Sequence, residues 1–160
     1  MTTEVALLVL MLIANGSPVI VRAWLGERLD WPLDGGVVLG DGRPLLGSSK
    51  TVVGAITAIA TSALLAPWLG LSWHIGALIG LCSMIGDAIS SFVKRRRGLS
   101  PGAMAIGLDQ IPESLLAMLA CKPLLELTWL QVIVLTLLFM IANLAISKMT
   151  ALAGLNHHPH

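Results

Sequence analysis

Five apolar runs separated by polar stretches set the pattern of the chain. They are Val5–Leu25, Val52–Leu69, Leu71–Val93, Ile111–Leu127 and Leu130–Leu152. A helix that crosses a bilayer needs about 20 consecutive apolar residues. The runs therefore predict an all-α integral membrane protein, one domain over residues 1–160, with about five transmembrane helices. The fourth run is the least regular, because it carries Pro112, Glu113, Lys122, Pro123 and Glu126. The first is interrupted by Asn15-Gly16-Ser17-Pro18. Proline removes a backbone donor and glycine weakens a helix locally, so this stretch predicts a broken first helix. Such a break is tolerated at membrane depth only where protein or water satisfies the freed carbonyls.

Two connections are long and polar: Gly26–Lys50, rich in glycine, and Lys94–Gln110, which opens with Lys94-Arg95-Arg96-Arg97. The others, Gly70 to Trp73 and Leu127 to Trp129, are short, and Trp68, Trp73 and Trp129 flank them as an interfacial aromatic belt would. Arg28, Arg43, Lys50 and the run at 94–97 fall in the long connections, Lys148 lies near the C-terminal end, and Lys122 alone lies on the opposite half. The positive-inside rule then puts both long loops and the C-terminus in the cytoplasm and the N-terminus outside. The expected location is the cell (inner) membrane, multi-pass, with any active site facing the cytoplasm. Met1–Ile13 lacks a basic n-region and a cleavage site, so it reads as part of a retained helix.

Composition sharpens this picture. Of 160 residues, 56% are hydrophobic and 12% charged, against about 25% charged in a soluble domain. The formal net charge of +1 gives no sign of a nucleic-acid partner. Cys82 and Cys121 fall inside apolar runs without metal or redox spacing and read as small buried hydrophobes. His157, His158 and His160 could suggest a metal, but they lie in the tail that ends the chain, where a ligand role is not expected. Gly76 and Gly80 form a small-xxx-small pair that predicts close helix packing. Glycine-rich faces of this kind also permit a homodimer.

The polar residues inside or beside the runs carry the candidate chemistry. Asp87 lies in the third run, and a carboxylate at membrane depth is a functional hypothesis by default. Ser90, Ser91 and Lys94 follow at helical spacing on the same face. The alternative is a buried Asp–Lys pair that only fixes packing. Asp109 precedes Gln110, Pro112 and Glu113, which also reads as an ordinary helix N-cap region. Paired with Asp87, it offers the two carboxylates that a hard divalent cation takes alongside phosphate oxygens. Within the basic run, Lys94 and Arg95 are assigned to a site, and Arg96 and Arg97 to the surface. The first loop, Gly40-Asp41-Gly42-Arg43-Pro44-Leu45-Leu46-Gly47-Ser48-Ser49-Lys50-Thr51, is not a Walker A loop. Lys50-Thr51 puts a cation and a hydroxyl at a helix N-terminus, where anions bind.

These segments together resemble the CDP-archaeol synthase family, distant relatives of the phosphatidate cytidylyltransferases (CDP-diglyceride synthetases). The resemblance spans nearly the whole chain, through Ala14-Asn15-Gly16-Ser17-Pro18-Val19 and the first loop from Asp41 to Thr51. It is strongest in Gly86-Asp87-Ala88-Ile89-Ser90-Ser91-Phe92-Val93-Lys94-Arg95-Arg96 with Leu108-Asp109-Gln110. The resemblance implies a nucleotidyltransferase that joins CTP to a phosphatidate-like lipid phosphate, giving a CDP-activated lipid and pyrophosphate, with Mg²⁺. It implies catalytic roles for Asp87, Asp109 and Lys94, with Asp87 and Asp109 as metal ligands. It implies substrate contacts from Asn15, Asp41, Lys50, Thr51, Ser91 and Arg95. The expected partners are CTP, the lipid phosphate and membrane lipids. One departure stands out: the family continues Lys-Thr-Trp-Arg-Gly, and this chain reads Lys50-Thr51-Val52-Val53-Gly54. Two alternatives stay open at this stage: a small membrane transporter or channel subunit with Asp87 on an ion path, and a catalytically degenerate member of the family.

Overall fold

The computed structural model describes residues 1–26 and 31–152. Arg28, His157, His158 and His160 lie outside the described residues. Among the described residues five α-helices follow in order: α1 (Thr3–Leu25), α2 (Val52–Leu65), α3 (Trp73–Arg96), α4 (Gln110–Cys121) and α5 (Trp129–Leu152). The class expected from the apolar runs is the one observed.

The expected lengths hold for three helices. Thr3–Trp24, Trp73–Arg96 and Trp129–Thr150 are each long and apolar enough to cross a membrane. The other two are shorter: α2 has 14 residues and is followed by a 3-10 turn at Pro67–Leu69, and α4 has only 12. At 1.5 Å per residue, α4 covers about 18 Å, little more than half of a hydrocarbon core. The expected run to Leu127 stops at Cys121 because Pro123 cannot continue a helix and Glu126 takes a left-handed φ of 52°.

The predicted break in the first helix is absent. α1 runs unbroken from Thr3 to Leu25 with Pro18 inside it. Proline costs the helix one backbone hydrogen bond, and the helix tolerates that where neighbouring elements cover the site. Here Pro18 lies against the first turn of α2, where a Cβ on Gly54 would come within 3.5 Å of its ring.

Side-chain caps fix the helix starts. Thr51 accepts the Gly54 amide at 3.0 Å and begins α2. At α5, Thr128 Oγ1 accepts the Gln131 amide at 3.2 Å while Gln131 Oε1 accepts the Thr128 amide at 2.8 Å, a reciprocal capping box. The three basic residues in the last turn of α3 oppose its C-terminal dipole.

α3 is the central helix, packed against α2 on one side and α4 on the other. Small residues allow this closeness. A Cβ at Gly76 would lie 2.7 Å from the Ala66 side chain, and one at Gly80 would lie 2.7 Å from the Ala58 carbonyl and the Ile59 Cα. The predicted small-xxx-small pair is therefore the α2–α3 seam. Gly86 does the same for α4, since its Cβ would lie 2.5 Å from the Glu113 Cα. α1 and α5 run in the same direction: Gln131 donates to Glu4 at 2.8 Å and Asn143 donates to Asn15 at 2.8 Å, at nearly constant sequence offset. Leu7, Leu10, Met11, Ile79, Met118, Val132 and Phe139 form the core. Exposed Trp68, Trp73 and Trp129 mark the end of the bundle where the short connections lie. The candidate polar residues lie at the other end.

Candidate functional site

The first loop is built to hold its own shape. Two isolated bridges, Pro32 with Thr51 and Val38 with Pro44, pin its base and its tip. Asp34 organises the interior: Oδ2 accepts the Leu46 amide at 2.7 Å and the Gly47 amide at 3.4 Å, and Oδ1 accepts the Gly36 amide at 3.0 Å. Burial pushes the Asp34 carboxyl upward, but the three amides together outweigh it and hold the group below the ordinary carboxylate value. At the tip, the Arg43 amide (3.1 Å) and then Arg96 hold Asp41 below its usual value as well.

The base of this loop delivers Lys50 and Thr51 to the N-terminus of α2. Behind them lies a cavity of about 320 Å³, open to one side. Asn15, Pro18 and Arg22 of α1, Lys50, Thr51 and Gly54 at the start of α2, and Met84 and Asp87 of α3 contribute to its lining. Lys50 Nζ reaches across it to Asp87 Oδ2 at 2.5 Å, and both side chains are about one-fifth exposed. The cavity therefore holds a solvated ion pair between apolar walls.

A second ion pair lies beside the third helix. Lys94 Nζ is 2.6 Å from Asp109 Oδ1 and donates to the Ala103 carbonyl at 2.9 Å. Asp109 Oδ2 accepts the Ala105 amide at 2.8 Å. The N-cap reading of Asp109 fails, because its carboxylate turns back into the loop and makes no cap hydrogen bond to α4. Arg95 is 3% exposed and donates from one Nη to the Ser100 carbonyl at 2.8 Å. Its Nε and other Nη are buried without a hydrogen-bond partner. A Cβ at Gly47 would lie 3.7 Å from that second Nη, so the free face of the guanidinium looks onto the first loop.

The sequence-predicted residues thus divide into two groups. Asn15, Lys50, Thr51 and Asp87 share one cavity. Lys94, Arg95 and Asp109 form the neighbouring cluster at the end of α3. The stripe expected to join Asp87 to Lys94 is split: each carboxylate takes a lysine from a different part of the chain. Ser91 is buried, 1% exposed, and is not part of the cavity lining. Asp41 faces outward and pairs with Arg96 at 2.5 Å, away from the cavity. Arg96 was assigned to the surface, and the structure corrects this. It donates to the Pro44 carbonyl at 2.5 Å as well as to Asp41, and it lies over the Phe92 ring at 5.5 Å. It is the clasp between α3 and the first loop.

Three further residues belong here. Arg22 lines the cavity together with Lys50. Glu113, 2% exposed, takes the Asn15 amide on both carboxylate oxygens, at 3.0 and 2.9 Å. Asn143 holds the Asn15 carbonyl. The available signal was a carboxylate and an amide inside apolar runs.

Among the described residues no group of three or more His, Cys, Asp or Glu side chains forms a metal cage. Asp87 and Asp109 are hard oxygen donors, and each already binds a cationic ammonium. Each is a donor of the type that magnesium accepts, one or two carboxylates at a time, alongside substrate phosphates.

The family model described as CarS-like, CDP-archaeol synthase, matches residues 71–159. A CDP-archaeol synthase of Sulfurisphaera tokodaii is 40% identical over 114 residues, covering 68% of this chain and 65% of the relative. One of Methanopyrus kandleri is 45% identical over 86 residues, covering 50% of each. One of Hyperthermus butylicus is 34% identical over 154 residues, covering 86% of each. The chain thus spans from about half to less than two thirds of the length of the first two. A solved structure described as an intramembrane enzyme for archaeal membrane lipid biosynthesis superposes with a TM-score of 0.74 at 31% identity, over 90% of this chain and 92% of that one.

Proposed function

This chain belongs to the CDP-archaeol synthase family, and from that membership we propose that it is a CTP-dependent cytidylyltransferase acting on a lipid phosphate. The observation that carries the reading is the cavity between α1, α2 and α3. It sets Lys50, Arg22, Asn15 and Asp87 around one space with otherwise largely apolar walls, at the polar end of the bundle. A lipid substrate reaches that space from the bilayer, and a nucleotide reaches it from the aqueous side.

The reaction forms a bond between an oxygen of the lipid phosphate and the α-phosphorus of CTP. It breaks the bond from that phosphorus to the bridging oxygen, and pyrophosphate leaves with the electron pair. The nucleophile is already ionised at neutral pH, so no general base is needed. The protein has to neutralise crowded phosphate charge and hold attacking and leaving oxygens in line. Lys50 and Arg22 supply cations at the cavity wall, with Lys94 and Arg95 beside it. The unpartnered Nε and Nη of Arg95 are donors looking for an anion. Asp87 and Asp109 would hold Mg²⁺, which when bound neutralises phosphate charge and orients the reacting groups. Lys50 then exchanges its carboxylate for a phosphate oxygen. We further assign Thr51 to the substrate side, the loops and site to the cytoplasmic face, and five helices to the membrane; Ser91, buried away from the cavity, is left out of the substrate contacts.

The test is radiolabelled CTP with a panel of ether- and ester-linked lipid phosphates in detergent, with Mg²⁺ and with chelator. Label should pass into the lipid fraction, dependent on both lipid phosphate and metal. No labelled lipid with any member of the panel would overturn the reading.

A further inference from the structure

Asn15 stands in the cavity wall with both ends of its amide engaged on the protein side. Nδ2 donates to Glu113 Oε1 at 3.0 Å and Oε2 at 2.9 Å, and Oδ1 accepts from Asn143 Nδ2 at 2.8 Å. Both carboxylate oxygens lie on one side of the Asn15 nitrogen, so a single bifurcated N–H serves them. The second N–H, set at the trigonal angle from the first, is left over. Flipping the Asn15 amide would put its carbonyl against the two Glu113 oxygens, which accept in the observed arrangement, so Glu113 sets the orientation; Asn143, whose own amide can turn either end toward Asn15, fastens it.

The lock comes from three helices. Asn15 is on α1, Glu113 on α4 and Asn143 on α5. Burying a carboxylate to 2% exposure is costly. Three-helix bracing alone would be served as well by apolar packing, which carries no such cost. What an acid and an amide add is direction. Gly86 links the lock to the reaction centre, because its missing side chain lets the α4 backbone at Glu113 press against α3 one residue before Asp87.

We propose that Glu113 and Asn143 are positioning residues for the phosphate subsite: they hold the Asn15 amide in the orientation that turns its spare N–H toward a phosphate oxygen in the cavity. The assignment rests on the cytidylyl-transfer reading. It adds two residues, neither of them part of the cavity lining, whose effect on the nucleotide passes through Asn15.

The experiment uses the full chain in detergent, with CTP kinetics and thermal unfolding measured on the same preparations. Asn143→Ala removes one end of the lock at a half-buried position. The KM for CTP should rise several-fold with kcat within about twofold, as for a contact made before and during the reaction. The double variant Glu113→Gln/Asn143→Asp reverses donor and acceptor at both ends. Asn15 can then flip and remain fully bonded, so thermal stability should return close to wild type. The flipped amide presents a carbonyl lone pair where the N–H was, so the KM for CTP should rise by about tenfold or more, the loss of one charge-assisted hydrogen bond. A purely structural brace predicts the reverse: stability lost in Asn143→Ala and regained in the double variant, with a wild-type KM for CTP in both. A wild-type KM in either folded variant overturns the assignment. A wild-type protein that turns over no CTP would overturn the functional reading, and this assignment with it.

Discussion

Lys50→Ala should raise the KM for CTP by about 5- to 30-fold while changing kcat less than about threefold. In the structure the ammonium is committed to Asp87 at 2.5 Å, with both side chains about one-fifth exposed. A pair this accessible is worth at most about 1 kcal/mol. A phosphate oxygen of a multiply charged ligand is a stronger acceptor, worth about 2–3 kcal/mol in a charge-assisted hydrogen bond. Exchanging one partner for the other leaves about 1–2 kcal/mol, and 1.4 kcal/mol is a factor of ten. The contact would form with the bound nucleotide and persist through the reaction, so it belongs to uniform binding and appears in KM. The assay is steady-state turnover over a range of CTP in one detergent at saturating Mg²⁺. Val53→Arg in the Lys50→Ala background should recover part of the loss, because position 53 lies one turn-edge from Lys50 on the same helix start. An unchanged KM in Lys50→Ala would refute the reasoning and leave Lys50 as a marker of the α2 boundary.

Asp87→Asn and Asp109→Asn should each lower kcat by at least about a hundredfold, since the Mg²⁺ these carboxylates would hold would supply charge neutralisation needed most in the transition state; substantial turnover at saturating Mg²⁺ would remove the ligand role. Gly80→Val should destabilise the bundle in detergent by several kcal/mol, because its side chain would enter the Ala58–Ile59 backbone of α2 at 2.7 Å; thermal unfolding checks it. A cysteine placed at Ser100 should label only from the cytoplasmic side, and labelling only from outside would reverse the orientation. The Asp34 carboxyl is held below its usual value by the Leu46, Gly36 and Gly47 amides. Its contribution to loop stability is therefore present above the ordinary carboxylate value near 3.8 and lost as pH falls through the lower folded value. Protease sensitivity of the first loop should stay flat from pH 7 to about pH 5 and rise only in stronger acid.

The helices were legible because membrane-spanning segments obey one-dimensional rules: length, apolarity and the scarcity of charge. Gly76 and Gly80 announced their seam for a related reason, since close approach of two helices leaves small residues at a four-residue interval. The failures have equally local causes. Pro18 predicted a break that α1 does not make, because the first turn of α2 packs against it. Pro123 and Glu126 shortened α4 by overriding an apolar run. Neither outcome depends on hydropathy, so no hydropathy argument reaches it.

The site was legible to the extent that its residues lie in one string. From Asp87 to Asp109 the spacing picked out charges that the structure gathers at one end of the bundle, but it paired them differently from the structure. On a helix Asp87 and Lys94 share a face, and nothing in that segment says that Lys50, 37 residues earlier, takes Asp87 instead. Pairing in a bundle is settled by which loops return to which helix end. Here Asp34 and Arg96 settle it, one by shaping the first loop from inside and the other by fastening it to α3. Once Lys50 occupies Asp87, Lys94 is released to Asp109, and the loop after α3 closes on its own helix. The lock on Asn15 has the same origin at longer range. Its three residues are separated by 98 and 128 positions, and each alone has an ordinary explanation: a polar residue near a proline, an acid in a first helical turn, an amide in a long span. The packing of α4 on Gly86 and of α5 along α1 brings them into one cluster. In a bundle with so few charges, the informative polar residues are those whose local explanation would hold equally well at the lipid face, because burial is what separates a role from an accident.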